Sequence, residues 1–313
     1  MNWFKSRDSS VRDFPISNSV FALKSTVWLV WLLGAAYGVY TASTIVTQLP
    51  WQFLLGAAFA HGVELQHQAL HQTGFTSRGM NRIVGVLVGL PMMVSYSAYQ
   101  DSHLFHHQKL GTDEDEEFFN YGTGGTANVF RVVTHFFLLN HYRAVFVNTL
   151  KALSGKRIPT KLLRNGERVR AEYLLFMLSA VLLALWSLQT ERWLVLSLWI
   201  VPLMLFAAPI HALIELPEHY GCERTTDYTR NTRSISAGRF AAWLTNGNCF
   251  HVEHHWKAAL PIEELGSLHR EIRTRCAYVS TSYWAFYRDF LANERARFRQ
   301  ARLEKRTVLE TKE

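Results

Sequence analysis

"STVWLVWLLGAAYGVYTASTIVTQ", residues 25–48, carries no charged side chain over its whole length. A helix needs about 20 apolar residues to cross the hydrocarbon core of a bilayer, so this stretch reads as a membrane span. "LPW" at 49–51 is expected to break it. "WQFLLGAAFAHGVELQHQALH" (51–71) then starts apolar and turns polar, and reads as a second span with His67 and His71 at its far end. "RIVGVLVGLPMMVSYSAY" (82–99) is apolar but interrupted by Pro91, which removes a backbone donor. It is expected to be a broken or re-entrant segment. "YLLFMLSAVLLALWSLQ" (173–189) and "WLVLSLWIVPLMLFAAPIHALIEL" (193–216) are a third and a fourth span, the last expected to kink at Pro202 and Pro209.

Between and beyond the spans the chain is polar. Residues 101–172 include an acidic run, "DEDEE" (113–117), and a basic stretch, "KALSGKRIPTKLLRNGERVR" (151–170). Residues 217–313 end in an Arg-rich helical tail. The link between the first two spans is uncharged and that between the last two carries one Glu and one Arg, so nearly all Lys and Arg lie in the N-terminal segment, the middle region and the C-terminal region. The positive-inside rule places those three regions in the cytoplasm. The expected fold is therefore a single all-α integral membrane domain over 1–313. It comprises a cytosolic N-terminal segment (1–24), four spans in two hairpins (25–216) with a cytosolic insert (101–172), and a cytosolic cap and charged tail (217–313).

Composition agrees with this reading. Net charge is +8, from 33 Lys and Arg against 25 Asp and Glu. In a membrane protein that excess belongs in cytoplasmic loops near anionic headgroups. No basic recognition helix or nucleic-acid motif is present, so nucleic acid is not an expected partner. Cys222, Cys249 and Cys276 form no CxxC pair, which suits a reducing face rather than a disulfide scaffold. The first 24 residues show no short apolar core before a small-residue cleavage site, and a cleaved leader is not expected.

On this framework one pattern recurs. "HQALH" (67–71), "HLFHH" (103–107) and "HVEHH" (251–255) all fall on the side assigned to the cytoplasm. Residues at i, i+3 and i+4 share a helix face, so His67 with His71, His103 with His106 and His107, and His251 with His254 and His255 can point together. Imidazole suits borderline metals such as iron, zinc and copper. Eight such ligands exceed what one ion accepts and match two ions of five or six coordination. His61, His135, His141 and His269 stand alone and read as satisfied core residues.

The three motifs, in this order and alternating with hydrophobic spans, resemble the histidine boxes of the membrane fatty acid desaturase and hydroxylase superfamily. The setting "NCFHVEHH" (248–255) is similar to the desaturases in particular, and the resemblance covers roughly residues 50–275. It implies two iron ions held by histidine, with O2 as co-substrate, and oxidation of unactivated C–H bonds. A further histidine after the last span often completes the set, and "IELPEHYG" (214–221) offers His219. Glu215 shares its face if the helix continues past Pro217, and reads equally as a ligand of metal-bound water or as a helix-end carboxylate. His211, one turn deeper, is a weaker candidate. Glu64, a turn before His67, reads as support for a ligand, because a carboxylate at membrane depth is costly without function. Asn248 is expected near the metals, and Cys249 as a small buried residue. Asp115 or Glu117 is expected to orient a ligand imidazole, while most of the acidic run reads as a solvated loop. One departure is "HHWKAALP" (254–261), where the family places an aromatic residue and a Pro directly after the third box.

The resemblance favours a desaturase of a fatty acyl chain, with no catalytic group separate from the metal ligands. Alternatives within the same chemistry are a hydroxylase or ketolase of a carotenoid, alkane or other hydrophobic molecule, and a desaturase of a small biosynthetic intermediate. A histidine-rich metal transporter is the alternative outside it, but a transporter places its ligands mid-membrane. The chain contains no dinucleotide fingerprint and no Cys cluster. Electrons are therefore expected from a separate protein, a ferredoxin or a small haem protein with its reductase. The other expected partners are the lipid bilayer and a hydrophobic acyl-type substrate.

Overall fold

The computed structural model describes residues 14–115, 129–162 and 166–310. Helix α1 (Asn18–Thr41) and helix α2 (Ile45–Leu70) form a tight antiparallel hairpin. The break falls at residues 42–44, not at the expected 49–51. Thr44 caps α2 in a reciprocal pair with Thr47, satisfying two backbone donors, so the new helix starts before Pro50 and carries that proline inside it.

α2 is the centre of the molecule. Every residue from Leu55 to Leu70 is buried. α1 shields one side of it while turning Leu23, Val30 and Tyr37 outward. Close approach depends on small residues: a Cβ added to Gly62 would lie 2.4 Å from the Val88 carbonyl oxygen. The Trp28 indole N–H donates to the Ala58 carbonyl at 2.8 Å and fastens the hairpin.

Helix α3 (Arg78–Gly89) leads through a 3₁₀ turn (Leu90–Met92) into helix α4 (Tyr96–Lys109), and the two segments meet at 98°. The expected broken segment is thus present. Pro91 sits in the tight turn, Met93 adopts a left-handed conformation at φ 56°, and Ser95 caps α4. Helices α5 (Val129–Phe136) and α6 (Leu139–Leu153) fill the middle region. Helix α7 (Glu167–Gln189) begins a turn and a half before the apolar run. The reason is Glu172, a buried carboxylate that accepts from Ser95, from the Ser97 backbone and hydroxyl, and from Arg82 at 2.6–3.1 Å. It ties α7 to the α3–α4 corner.

The last apolar segment runs unbroken from Val195 to His219. Its first half is π-helical (Val195–Ile200 and Pro202–Ala207), and its second half is helix α8 (Ala208–His219). The expected kinks at Pro202 and Pro209 are absorbed as widened turns, which tolerate a missing N–H. α8 continues through Pro217. Among the described residues three helices are long and apolar enough to cross a membrane (α1, α7 and Val195–His219), or four if the bent pair is one span. The expected second span, 51–71, is the buried inner part of α2 and is not one of them, because its Gln, Glu and His side chains make it less apolar than the others.

The remaining chain caps one end. It comprises the short helix α9 (Tyr228–Asn231), strand β1 (Arg233–Ile235), helices α10 (Arg239–Leu244), α11 (His251–Trp256) and α12 (Ile262–Ile272), strand β2 (Tyr278–Ser280) and the tail helix α13 (Tyr283–Glu310). β1 and β2 pair in parallel, Ser234 opposite Val279. The all-α expectation is corrected on this point. The small sheet clamps the N-terminal end of α11. The Ser234 hydroxyl accepts from the Val252 N–H at 3.0 Å and donates to Glu253 at 2.5 Å, and the Ile235 N–H donates to the Cys249 carbonyl.

Candidate metal centre

All nine histidines expected as ligands converge between the ends of α2, α4, α8 and α11. His67, His71, His103 and His254 place their donor atoms within 4.8 Å of one another, as do His106, His219 and His255. The His107 Nε2 lies 3.0 Å from the Nε2 atoms of both His103 and His254, and so joins the first group. The His251 Nε2 lies 3.1 Å from that of His255 and joins the second, beside Glu218. The rings of His107 and His255 stack at 4.2 Å and bring the two groups side by side. His219 is within 5.1 Å, ring to ring, of His106, His251 and His255.

The continuation of α8 through Pro217 makes this possible. Residues 211, 215 and 219 lie on one helix face, and a helix ending at the proline would leave His219 unplaced.

The surrounding groups fix which nitrogen faces inward. The His106 Nδ1 is 2.9 Å from Asp115, the His251 Nδ1 is 3.0 Å from the Asn248 Oδ1, and the His219 Nδ1 is 3.0 Å from the Asn231 carbonyl. Each oxygen accepts the Nδ1–H, so each ring presents a bare Nε2 to the centre. Asp115 is buried and does what was expected of one acidic residue. Asp113 and Glu114 pair with Arg224 and Lys109 at the surface, as a solvated loop would. Glu117 lies outside the described residues. Asn248 also donates to Glu218 at 2.8 Å, so it holds a ligand candidate in place.

The donor set fits metal ions. Neither ring nitrogen of the buried His71 has a hydrogen-bond partner among the described residues. Leaving such groups unpaired costs about 1–3 kcal/mol each, and a bound cation removes that cost. The His107 Nε2 faces two other Nε2 atoms, and one imidazole N–H cannot serve both. Burial first, then repulsion from neighbouring imidazoles, holds His251, His254 and His255 well below the ordinary histidine value. They are neutral and ready to ligate.

A cavity of about 20 Å³ opens between the groups, lined by Glu64, Tyr99, His211, Glu215 and Glu218 with several of the histidines. It has room for one water-sized molecule. His211 lies 3.5 Å from Glu64 and 3.1 Å from Glu215. Glu64 and Glu215 therefore face the centre through His211. Glu218 was not foreseen from the sequence, although its place beside His219 was a signal. Glu253 was also missed. It accepts from Ser234 and lies 2.8 Å from the His269 Nδ1. His269 is thus a satisfied core residue, as expected, and it holds the third box through Glu253. His61 (on the Leu244 carbonyl) and His141 (on the Met92 carbonyl) are structural as well. Cys249 is small and buried, and burial pushes its thiol up to about 12.

A search of the curated proteins finds no match. The family described as fatty acid desaturase matches residues 43–287, most of the chain and every element that contributes to the histidine centre. With an oxidoreductase family's span laid over the clustered histidines and the apolar helices, the chain belongs to the fatty acid desaturase family.

Proposed function

We propose that the protein is a membrane-bound, O2-dependent di-iron enzyme that desaturates an acyl chain. The observation that carries the reading is the division of nine imidazoles, eight of them buried and that of His107 half-buried, into two adjoining groups. His67, His71, His103, His107 and His254 would hold one iron, and His106, His219, His251 and His255 the other. The irons would supply the oxidant for removing hydrogen from an unactivated C–H bond. Loss of two hydrogens from –CH2–CH2– gives an alkene and, with two electrons and two protons from a donor, reduces O2 to two waters.

The chain's own residues bind, orient and exclude water. Asp115, Asn248 and the Asn231 carbonyl hold three imidazoles in the ligating tautomer. Neutral ligands leave the metals their full positive charge, which favours binding a reduced oxygen species. Glu64, His211 and Glu215 form a short polar chain at the small cavity, where protons can be held. A second cavity of about 230 Å³ is lined by Leu32, Ala36, Leu55, Phe59, Met93 and Trp199, surfaces suited to a hydrocarbon chain. Tyr99 packs on the same apolar cluster and also lines the polar cavity, so it stands between the two. A separate electron-transfer protein would deliver electrons from the cytosolic side.

The test is to incubate membranes containing the protein with candidate acyl lipids and a reductase system, and to analyse products by mass spectrometry. Loss of two hydrogens is expected. Gain of one oxygen would make the enzyme a hydroxylase, and no change with any hydrophobic substrate in an iron-loaded preparation would overturn the reading.

A further inference from the structure

A groove of about 760 Å³ runs along the outer face of the molecule between α3 and α7. It shares no lining residue with the histidine cavity or the apolar cavity. One end is strongly basic, with Arg78 and Arg82 from the start of α3 and Arg168 from the first turn of α7. The rest is apolar. Ile83 and Leu87 line it while more than half exposed, at 57% and 53%, and Leu175 faces them from α7.

Two of the three arginines are not neutralised by their surroundings, and the third, Arg82, shares its carboxylate. Three guanidiniums face a single carboxylate, Glu172, which is already engaged by two serines as well as Arg82. Arg78 and Arg168 make no ion pair or hydrogen bond among the described residues, and the Arg82 Nε is buried without a partner. Arg170, two residues from Arg168, is different: it donates to the Ala152 carbonyl and pairs with Glu167. The groove therefore presents two exposed, unpaired guanidiniums beside its apolar strip.

Position supplies the second argument. α7 is one of the apolar helices able to cross a membrane, and its charge is confined to its first turns. Arg168 thus lies at the charged end of a candidate span, and the apolar part of the groove runs from it along the uncharged part of that helix. A ligand with an anionic head and long apolar chains matches both ends at once.

We propose that this groove holds an anionic glycerophospholipid, with its phosphate on Arg78, Arg82 and Arg168 and its acyl chains along Ile83, Leu87 and Leu175. The lipid is a resident of the protein's outer surface. It also anchors the α3–α4 corner, which supplies His103, His106 and His107.

The test uses the full chain, purified in mild detergent and delipidated. Phosphatidylglycerol and phosphatidylcholine with identical acyl chains are titrated separately, and binding is read by native mass spectrometry and by the thermal midpoint. Inorganic phosphate is a third arm. Phosphatidylglycerol should bind more tightly and raise the midpoint more than phosphatidylcholine, with phosphate alone giving neither effect. The double variant Arg78→Gln/Arg168→Gln should lose that preference, binding phosphatidylglycerol roughly 30-fold more weakly, with metal content and membrane yield unchanged. Leu87→Gln should weaken both lipids. Equal binding of the two lipids by the unmodified protein, full competition by inorganic phosphate, or an unchanged preference in the double variant would each overturn the proposal. The wild-type comparison decides the matter even if a variant fails to fold.

Discussion

His219 ends α8, and its ring packs against His106, His251 and His255 of the second histidine group, with the Asn231 carbonyl accepting from its Nδ1. Replacing it by Ala removes a donor at the very end of the last apolar helix and leaves the apolar residues before it unchanged. His219→Ala is expected to abolish turnover and to lower bound metal in elemental analysis, with membrane yield retained. His269→Ala is no neutral comparison, because it strips Glu253 of a partner inside the third box. A milder change tests orientation alone. Asp115→Asn leaves all nine imidazoles in place but removes the carboxylate that accepts from His106. Loss of such a supporting group typically weakens metal affinity about 10- to 100-fold. Competition with a chelator would measure it, and an unchanged affinity would mean that Asp115 does not orient its neighbour.

At the scale of elements, two of the joints between the cap and the bundle can be tested one residue at a time. In the first, Pro217 lacks an N–H, so the Leu213 carbonyl has no helical partner; the Tyr287 hydroxyl of α13 donates to it at 2.5 Å. The tail helix thus fills a vacancy that the proline creates. Tyr287→Phe should cost about 1 kcal/mol, seen as a lower thermal midpoint in detergent. In the second, Lys24 of α1 reaches Glu263 of α12 at 2.6 Å, with Gln68 donating to the same carboxylate. Burial alone would raise the Glu263 carboxyl, but the Lys24 ammonium outweighs it and holds the group below its ordinary value. A depressed carboxyl adds stability above its unfolded value, near about 4.3, and loses it as pH falls through the folded value. Glu263→Gln should therefore cost about 0.5–1 kcal/mol at neutral pH. The gap from wild type should close as the pH drops below about 4. A gap independent of pH would show that shape, not charge, secures the joint.

For the whole molecule, the histidine centre needs residues from four helices whose ends meet on one side of the bundle. If the chain is oriented by its Lys and Arg, both termini share the cytoplasmic side with that centre. Reporter fusions at the C-terminus should report a cytoplasmic location, and a cysteine placed near residue 190 should label from the opposite side. Labelling of both from the same face would break the shared centre. On the proposed di-iron reading, iron analysis of the intact protein should find about two ions per chain, one for each group of imidazoles.

Periodicity and composition determined the apolar helices, the broken segment at Pro91 and the grouping of the histidines. Those features depend on local rules: a charge-free run long enough for a bilayer, a missing backbone donor, and side chains spaced to share a helix face. The same rules misplaced the break between α1 and α2, because a Thr cap three residues from its partner outcompeted Leu-Pro-Trp. They missed the β1–β2 pair, because three-residue strands have no periodicity to read. Tertiary structure alone decided that α8 runs through Pro217, since the Tyr287 hydroxyl that compensates the proline lies 74 residues along the chain from the Leu213 carbonyl it meets. It alone decided that Asp115, Glu218 and Glu253 face inward while Asp113 and Glu114 face water. Identical side chains in one acidic run differ only in whether a buried imidazole waits within hydrogen-bond reach, and that distance is set by the packing of helices far apart in sequence.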